Sequence, residues 1–433
     1  MGLVADLGAA RRVITNLVRA RSARREVARR SGEFARPVPN TVEVAVYFAD
    51  TRVNLYQIRQ WYGPLRRLAG EHPVALVCRS PRTALTVNDE SGLPTLYLRS
   101  IVELERFVVE QRPKIVLYVN QNTKNFQMFR YGRMWHVFIN HGESDKMYMT
   151  TNQFKAYDYA LVAGQAARDR LGRRLWDYDV AHRTLEIGRP QADHFAGDLP
   201  YPEDDRLVVL YAPTWEGDRP AAAYGSAATH GEALVAAVLA SPRHRLVYRP
   251  HPRSGVVDPE FGAANARIIA SIAAANRSDP AAHHVYDDGP ELGWQLAAAD
   301  IAVADISAMV YDRLATGKPL LVTRPAAAEA DIDESGFLGA ADWLTVADAG
   351  RVLERADSLL EDPAARESLA YWSHHHFGDT TPGAATQRFH AAIGFLIDEW
   401  ERMARLHPDD EALPVEDGSR EEDGDPDGLP DDA

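Results

Sequence analysis

The chain is short of the residues that mark several protein classes. Among its 433 residues there is one cysteine, Cys78. A single thiol forms no internal disulfide and no cysteine-based zinc site, and it suits a reducing compartment. Cys78 follows the apolar run Val74–Val77 and reads as buried packing. No apolar run approaches the roughly 20 residues needed to span a bilayer. The first residues lack the long apolar stretch of a secretory signal and are studded with arginine. The expectation is a cytoplasmic protein. No G-x-x-x-x-G-K-[ST] loop is present, which argues against a P-loop kinase or ATPase, and no G-x-S-x-G elbow occurs either. His283 and His284, with Asp287 and Asp288, are the nearest approach to a metal framework. Adjacent histidines on a strand point to opposite faces, so neither a metal nor any other cofactor is expected.

Hydrophobic residues make up 45% and charged residues 25%, the balance of a soluble globular protein, and the length suits two domains with tails. The net charge of −14 is unevenly spread. Residues 1–30 carry eight arginines against Asp6 and Glu26, and residues 409–433 carry twelve acids against Arg420. The body between them is acidic, so a broad basic face for nucleic acid is not expected. Leu3, Val4, Leu7, Ala10, Ile14, Leu17 and Val18 recur at helical spacing with arginines between them. Such a basic amphipathic helix suits either an anionic membrane surface, here the inner face of the cell membrane, or packing on a domain. The tail after Pro408, rich in Asp, Glu, Gly and Pro, reads as disordered.

Between these ends, short apolar runs alternate with helical stretches. The expected strands are Val42–Phe48, Val74–Val77, Ile115–Val119, Trp135–Ile139 and Tyr159–Val162, then Leu207–Tyr211, Arg245–Tyr248, Ile301–Ala304 and Leu320–Thr323. Continuous apolar strands separated by helices imply parallel sheets covered on both faces. A helical pattern runs from about Thr386 to Leu406, after the last strand signal. The reading is an α/β chain with two doubly wound, Rossmann-like domains facing a cleft. It comprises a basic segment 1–35, domains 36–195 and 196–407, and an acidic tail 408–433. Ligands of such sheets bind beyond the carboxyl ends of the strands.

Four polar clusters directly follow apolar strands. The first is Asn140-His141-Gly142 with Lys146. Glycine allows a tight turn, histidine titrates near neutrality and is a candidate general base, and Lys146 is placed to meet phosphate. The second is Ala212-Pro213-Thr214-Trp215, in which Thr214 offers a hydroxyl to a phosphate oxygen and Trp215 a wall. The third is Arg249-Pro250-His251-Pro252-Arg253. Its prolines stiffen alternating cationic and hydrogen-bonding groups, an arrangement that suits a diphosphate. The fourth is Ala304-Asp305-Ile306-Ser307-Ala308-Met309-Val310-Tyr311-Asp312, where Ser307 reads as the cap of a helix whose start favours anions. Asp312 reads as structural.

These clusters, in this order, resemble the CDP-glycerol glycerophosphotransferases of teichoic-acid-type polymer synthesis. That family carries H-G-x-x-x-K, then A-P-T-W, then a histidine-proline element, then T-D-Y-S-S-V-x-F-D. The fourth match departs from the pattern at Ala304, Ile306 and Ala308. The resemblance spans roughly residues 130–325 and implies a GT-B fold with the site between two Rossmann-like domains. It implies that His141 deprotonates an acceptor hydroxyl and that His251 joins it in the chemistry. Lys146, Thr214, Arg249, Arg253, Asp305 and Ser307 would hold the donor, with base recognition at 285–292. The implied partners are a CDP-activated polyol donor and a polyol-phosphate or lipid-linked saccharide acceptor. A GT-B glycosyltransferase using a nucleotide sugar, and a non-catalytic nucleotide-binding homologue, are the alternatives.

Overall fold

The computed structural model describes residues 18–34, 36–143, 150–289 and 292–408. The apolar runs fold into two parallel sheets. The first contains β1 (Val44–Phe48), β2 (Val74–Cys78), β3 (Thr95–Tyr97), β4 (Ile115–Tyr118), β5 (Trp135–Phe138), β6 (Tyr159–Val162) and β7 (Thr184–Glu186). Their order is β3-β2-β1-β4-β5-β6-β7, with every neighbouring pair parallel. The second contains β8 (Leu207–Ala212), β9 (His244–Tyr248), β10 (Val285–Tyr286), β11 (Ile301–Ala304), β12 (Leu320–Thr323) and β13 (Trp343–Leu344), in the order β10-β9-β8-β11-β12-β13, again parallel throughout.

Parallel pairing explains the continuous apolar strands. Each of β1, β2, β4, β9, β11 and β12 is buried along its whole length, because helices cover both faces. The nine expected strands are all present, within two residues at either end. β3, β7, β10 and β13 are additional: they have two or three residues each and lie at or beside sheet edges, too short to leave a run. In each sheet the order reverses once, between β1 and β4 and between β8 and β11. Loops leaving those strands diverge and open a crevice, the usual ligand position in doubly wound sheets.

Helix ends follow local chemistry. Pro81–Ser91 begins with the Ser80 cap and Pro81 and stops at left-handed Gly92, and Ile101–Gln111 begins with a Ser100–Glu103 capping box. Residues 18–29 are helical and dock through Ala20, Ala23 and Val27, while Arg19, Arg21, Arg25 and Arg29 are exposed. The more N-terminal part of the expected amphipathic helix, and the acidic tail from Asp409, lie outside the described residues. No helix among the described residues is long and apolar enough to cross a membrane.

The last helix, Ala384–Leu406, returns to the first sheet. Phe389, Ile393 and Leu396 are fully buried in the core that also holds Val44 and Trp61. Phe389 packs on Trp61 with ring centroids 5.3 Å apart. The Asp193 carboxylate accepts the Gly383 and Thr386 N–H groups (3.0 and 2.7 Å) and so fastens the helix start to the linker. Phe389→Ala therefore opens a cavity in the first core, although position 389 lies beyond the whole second sheet. The expected loss is about 3–5 kcal/mol, to be read from urea unfolding monitored by circular dichroism.

Candidate functional site

All four polar clusters leave carboxyl ends of strands, and they gather as two groups, one at each crevice. In the first half, β5 ends in Ile139 and the chain turns at Asn140, whose φ is +54°. Asparagine tolerates this left-handed geometry because its side chain bonds locally. Here Nδ2 donates to the Gly142 carbonyl at 2.6 Å and Oδ1 accepts the His141 N–H at 2.8 Å. The Trp61 indole N–H also donates to the Asn140 carbonyl. These bonds hold the next residue, His141, in place. Its Nδ1 is 3.1 Å from the Val119 carbonyl at the end of β4. A carbonyl only accepts, so the proton sits on Nδ1 and the lone pair on Nε2.

His141 borders a cavity of about 470 Å³ at the first crevice. The loop after β1 contributes Asp50, the loop after β4 contributes Asn120 to Asn122, and Tyr56 and Gln57 come from the helix Leu55–Arg59. The wall is pre-bonded: Asn120 donates to Gln57 at 2.7 Å and to Asp50 at 3.1 Å. The Tyr56 ring meets the imidazole edge-on at 5.8 Å. Burial pushes the His141 pKa down to about 4, against the Val119 bond, which favours the proton; the Arg189 charge acts with burial. The imidazole is therefore neutral at physiological pH.

In the second half the loops after β8, β9 and β11 interlock. Asp305, just past β11, is fully buried. Its Oδ2 accepts the Thr214 N–H at 2.7 Å and the Ser226 N–H at 2.9 Å, and its Oδ1 accepts the Thr323 hydroxyl. Burial pushes its carboxyl up to about 6, against these hydrogen bonds. Asp305, expected in the donor set, is thus buried beneath the loops and holds them through these bonds. The Thr214 backbone is held by this carboxylate. The His251 N–H donates to the Pro213 carbonyl at 3.1 Å, tying the third cluster to the second. His251 Nδ1 accepts the Arg253 N–H at 3.1 Å, which assigns its proton to Nε2. The Arg253 guanidinium stacks on Trp215 at 4.1 Å.

Arg249, expected on the diphosphate, is engaged by the protein itself. Its guanidinium is paired with Asp287 and donates to the Gly289 carbonyl at 3.2 Å. Asp287 also accepts from the Gln295 amide at 2.6 Å. Arg249 therefore anchors the segment 285–292, of which Pro290 and Glu291 lie outside the described residues. Ser307 caps the seven-residue helix Ala308–Leu314, accepting the Met309 N–H at 3.3 Å. Lys146 lies outside the described residues. Among the described residues, no group of His, Cys, Asp and Glu is arranged to hold a metal ion.

The residues lining the first cavity all come from the first half, and His251 is not one of them. The link between the groups is Arg189, which touches both the His141 loop and Asp312 of the helix that Ser307 caps. Sequence reasoning missed Arg189, the cavity wall of Asp50, Gln57 and Asn120, and Glu216. The Glu216 carboxylate accepts the N–H groups of Gly255, Val257 and Asp258 at 2.7 to 3.0 Å and fixes the loop after His251. Only Glu216 carried a signal, its place directly after Thr214-Trp215.

Two doubly wound halves facing across a cleft, each with its polar loops at the strand reversal, define the GT-B architecture. Residues 137–334, the span holding all four clusters, match the family CDP-glycerol:poly(glycerophosphate) glycerophosphotransferase. No curated protein sequence matches the chain significantly. Among solved structures, the wall teichoic acid polymerase TagF superposes with a TM-score of 0.54 at 13% identity, over 93% of this chain and 99% of that chain. A variant of the same polymerase soaked with CDPG gives 0.50 at 13% identity, over 93% and 99%. UDP-GlcNAc 2-epimerase from Neisseria meningitidis, bound to UDP-GlcNAc, gives 0.53 at 13% identity, over 82% and 99%. At these identities the structural likeness speaks for the fold; the family match speaks for a glycerophosphotransferase-like chain.

Proposed function

We propose that the chain transfers a polyol phosphate, with glycerol phosphate the first candidate, from a CDP-activated donor to a hydroxyl of a wall-polymer or lipid-linked acceptor. The observation that carries this reading is the pair of opposite tautomers at His141 and His251. His141 is neutral, with its Nε2 lone pair available to take a proton. His251 Nδ1 accepts the Arg253 N–H, which assigns its proton to Nε2, the atom that would donate to a donor phosphate. A base and an anion donor on separate loops are what hydroxyl attack on a phosphodiester-type centre requires.

The acceptor occupies the cavity beside His141, where amide side chains and the Tyr56 ring suit a polyhydroxylated group. Its oxygen attacks the phosphorus bearing the polyol and its proton passes to His141 Nε2. The new O–P bond forms as the bond to the CMP oxygen breaks, and CMP leaves with that electron pair. His251, Arg253, Thr214 and the Ser307 helix start steady the donor phosphates, and Lys146 is proposed to join them. Positioned hydrogen-bond donors are the main requirement of phosphoryl transfer, and no covalent protein intermediate is needed.

The released nucleotide tests the reading. The chain is incubated with CDP-glycerol, CDP-ribitol and nucleotide sugars, each with polyol-phosphate and saccharide acceptors. CMP release dependent on acceptor is the expected result. Release of a nucleoside diphosphate makes it a glycosyltransferase, and nucleotide binding without turnover makes it a binding module.

The exposed arginines of residues 18–29 are proposed to meet the anionic inner face of the cell membrane, since the apolar side of that helix already packs on the protein. Sedimentation with vesicles rich in anionic lipid should fall severalfold in an Arg19→Glu/Arg21→Glu/Arg25→Glu variant. Equal sedimentation of variant and wild type refutes the contact.

A further inference from the structure

Arg189 lies in the linker between β7 and the turn Ala192–His194. Its guanidinium reaches three separate stretches of chain. Nη1 donates to the His141 backbone carbonyl at 3.2 Å. Nη2 donates to the Gln60 amide oxygen at 2.9 Å and pairs with the Asp312 carboxylate at 2.5 Å. Gln60 and His141 belong to the first half, and Asp312 to the helix Ala308–Leu314 of the second. The Arg189 and Asp312 side chains are only 6% and 5% exposed. The linker itself is fitted to this place. Gly188 has φ +71°, and a Cβ there would lie 3.0 Å from the Phe377 carbonyl oxygen of the second half. A buried ion pair is weak support for stability compared with apolar residues of the same size. Its position, joining the backbone of the histidine loop to the other half, is therefore the informative feature.

We propose that Arg189 is a positioning residue for transfer: braced on Asp312, it holds the His141 backbone and sets the base against the second half. This rests on the reading of His141 given above. Asp312, which reads as structural in the sequence, becomes the other end of the brace.

Among the described residues, the charged and titratable groups around the imidazole come from three elements. Arg189 approaches from the linker, Tyr56 from the helix Leu55–Arg59, and Asp50, on the loop after β1, lines the same cavity. Glu143, two residues beyond His141, is paired with Arg170. The Arg189 charge disfavours a proton on His141, in addition to the larger effect of burial.

The test uses the full chain in two variants, Arg189→Met and Arg189→Met/Asp312→Leu. Three readouts apply: thermal unfolding, the His141 titration followed by NMR of labelled histidine, and kcat and KM from CMP release. The single variant leaves Asp312 buried without its partner and unfolds at lower temperature. The double variant removes both charges and recovers most of that loss. In the recovered protein His141 titrates at higher pH than in wild type, and kcat falls about tenfold to a hundredfold with little change in donor KM. A double variant with wild-type titration and wild-type kcat overturns the proposal, because a purely structural pair would leave both untouched. The titration needs no turnover. Should the chain release no CMP from any donor, the transferase reading fails while the hold of Arg189 on His141 is still decided.

Discussion

His141→Ala lowers transfer by about 10²–10⁴-fold in kcat/KM, the range for removal of a positioned general base. Donor binding changes little, because the imidazole lines the first-half cavity and the loops proposed to hold the donor lie on the second sheet. The fold survives: the substitution removes one hydrogen bond to the Val119 carbonyl, a change of about 1 kcal/mol. Circular dichroism and donor affinity by calorimetry separate lost chemistry from lost structure, and transfer at the wild-type rate would remove the base assignment.

The pH profile supplies a second reading of the same residue. Burial holds the His141 pKa down to about 4, below the usual 6.5. The acid limb of kcat/KM should therefore fall near pH 4 and not near 6.5. Stability follows the same direction. The unfolded chain takes up a proton at about 6.5 that the folded chain refuses until about 4. The contribution from His141 is therefore fully present above 6.5 and is lost as pH falls from there through 4. An acid limb at 6.5 would mean that the catalytic imidazole is a solvent-exposed one.

His251→Ala has the next largest expected effect, a loss of about 10²–10³-fold in kcat, the range for removal of one preorganised donor to a developing anion. The argument rests on the tautomer. The Arg253 N–H occupies Nδ1, so the side chain presents an N–H at Nε2 and not a lone pair. Glutamine offers an amide N–H at a similar reach, so His251→Gln should retain more activity than His251→Ala. If the two variants are equally impaired, His251 acts by another route. A loss confined to donor KM would make it a ground-state binding group, whereas a loss in kcat marks an interaction made in the transition state.

The strands were legible because parallel strands covered on both faces must be apolar at nearly every position, and β1, β4 and β11 are. The edge strands β10 and β13 were not, since two residues paired on one side leave no pattern. The polar loops could be read because histidine, glycine, proline and threonine cluster directly after such runs. Asp305 shows the limit of that reading. Its place in a motif suggested ligand contact, but the fold buries it to receive the Thr214 and Ser226 N–H groups, and only the packed structure shows where those donors point. The Asp287 partner of Arg249 was equally illegible, because it lies 38 residues on and across a strand pair.

Local order in the chain was thus sufficient for the long inner strands of the two sheets, the polar loops that follow them and the helix Ala384–Leu406, because each depends on periodicity and on neighbours a few residues away. The partners came from folding alone. Phe389 seats on Trp61, and Arg189 joins the His141 carbonyl to Asp312. Those contacts join positions from 48 to more than three hundred residues apart, where no spacing rule operates. They depend on how two separately wound sheets dock, and that is settled by which buried faces and charges find each other in space.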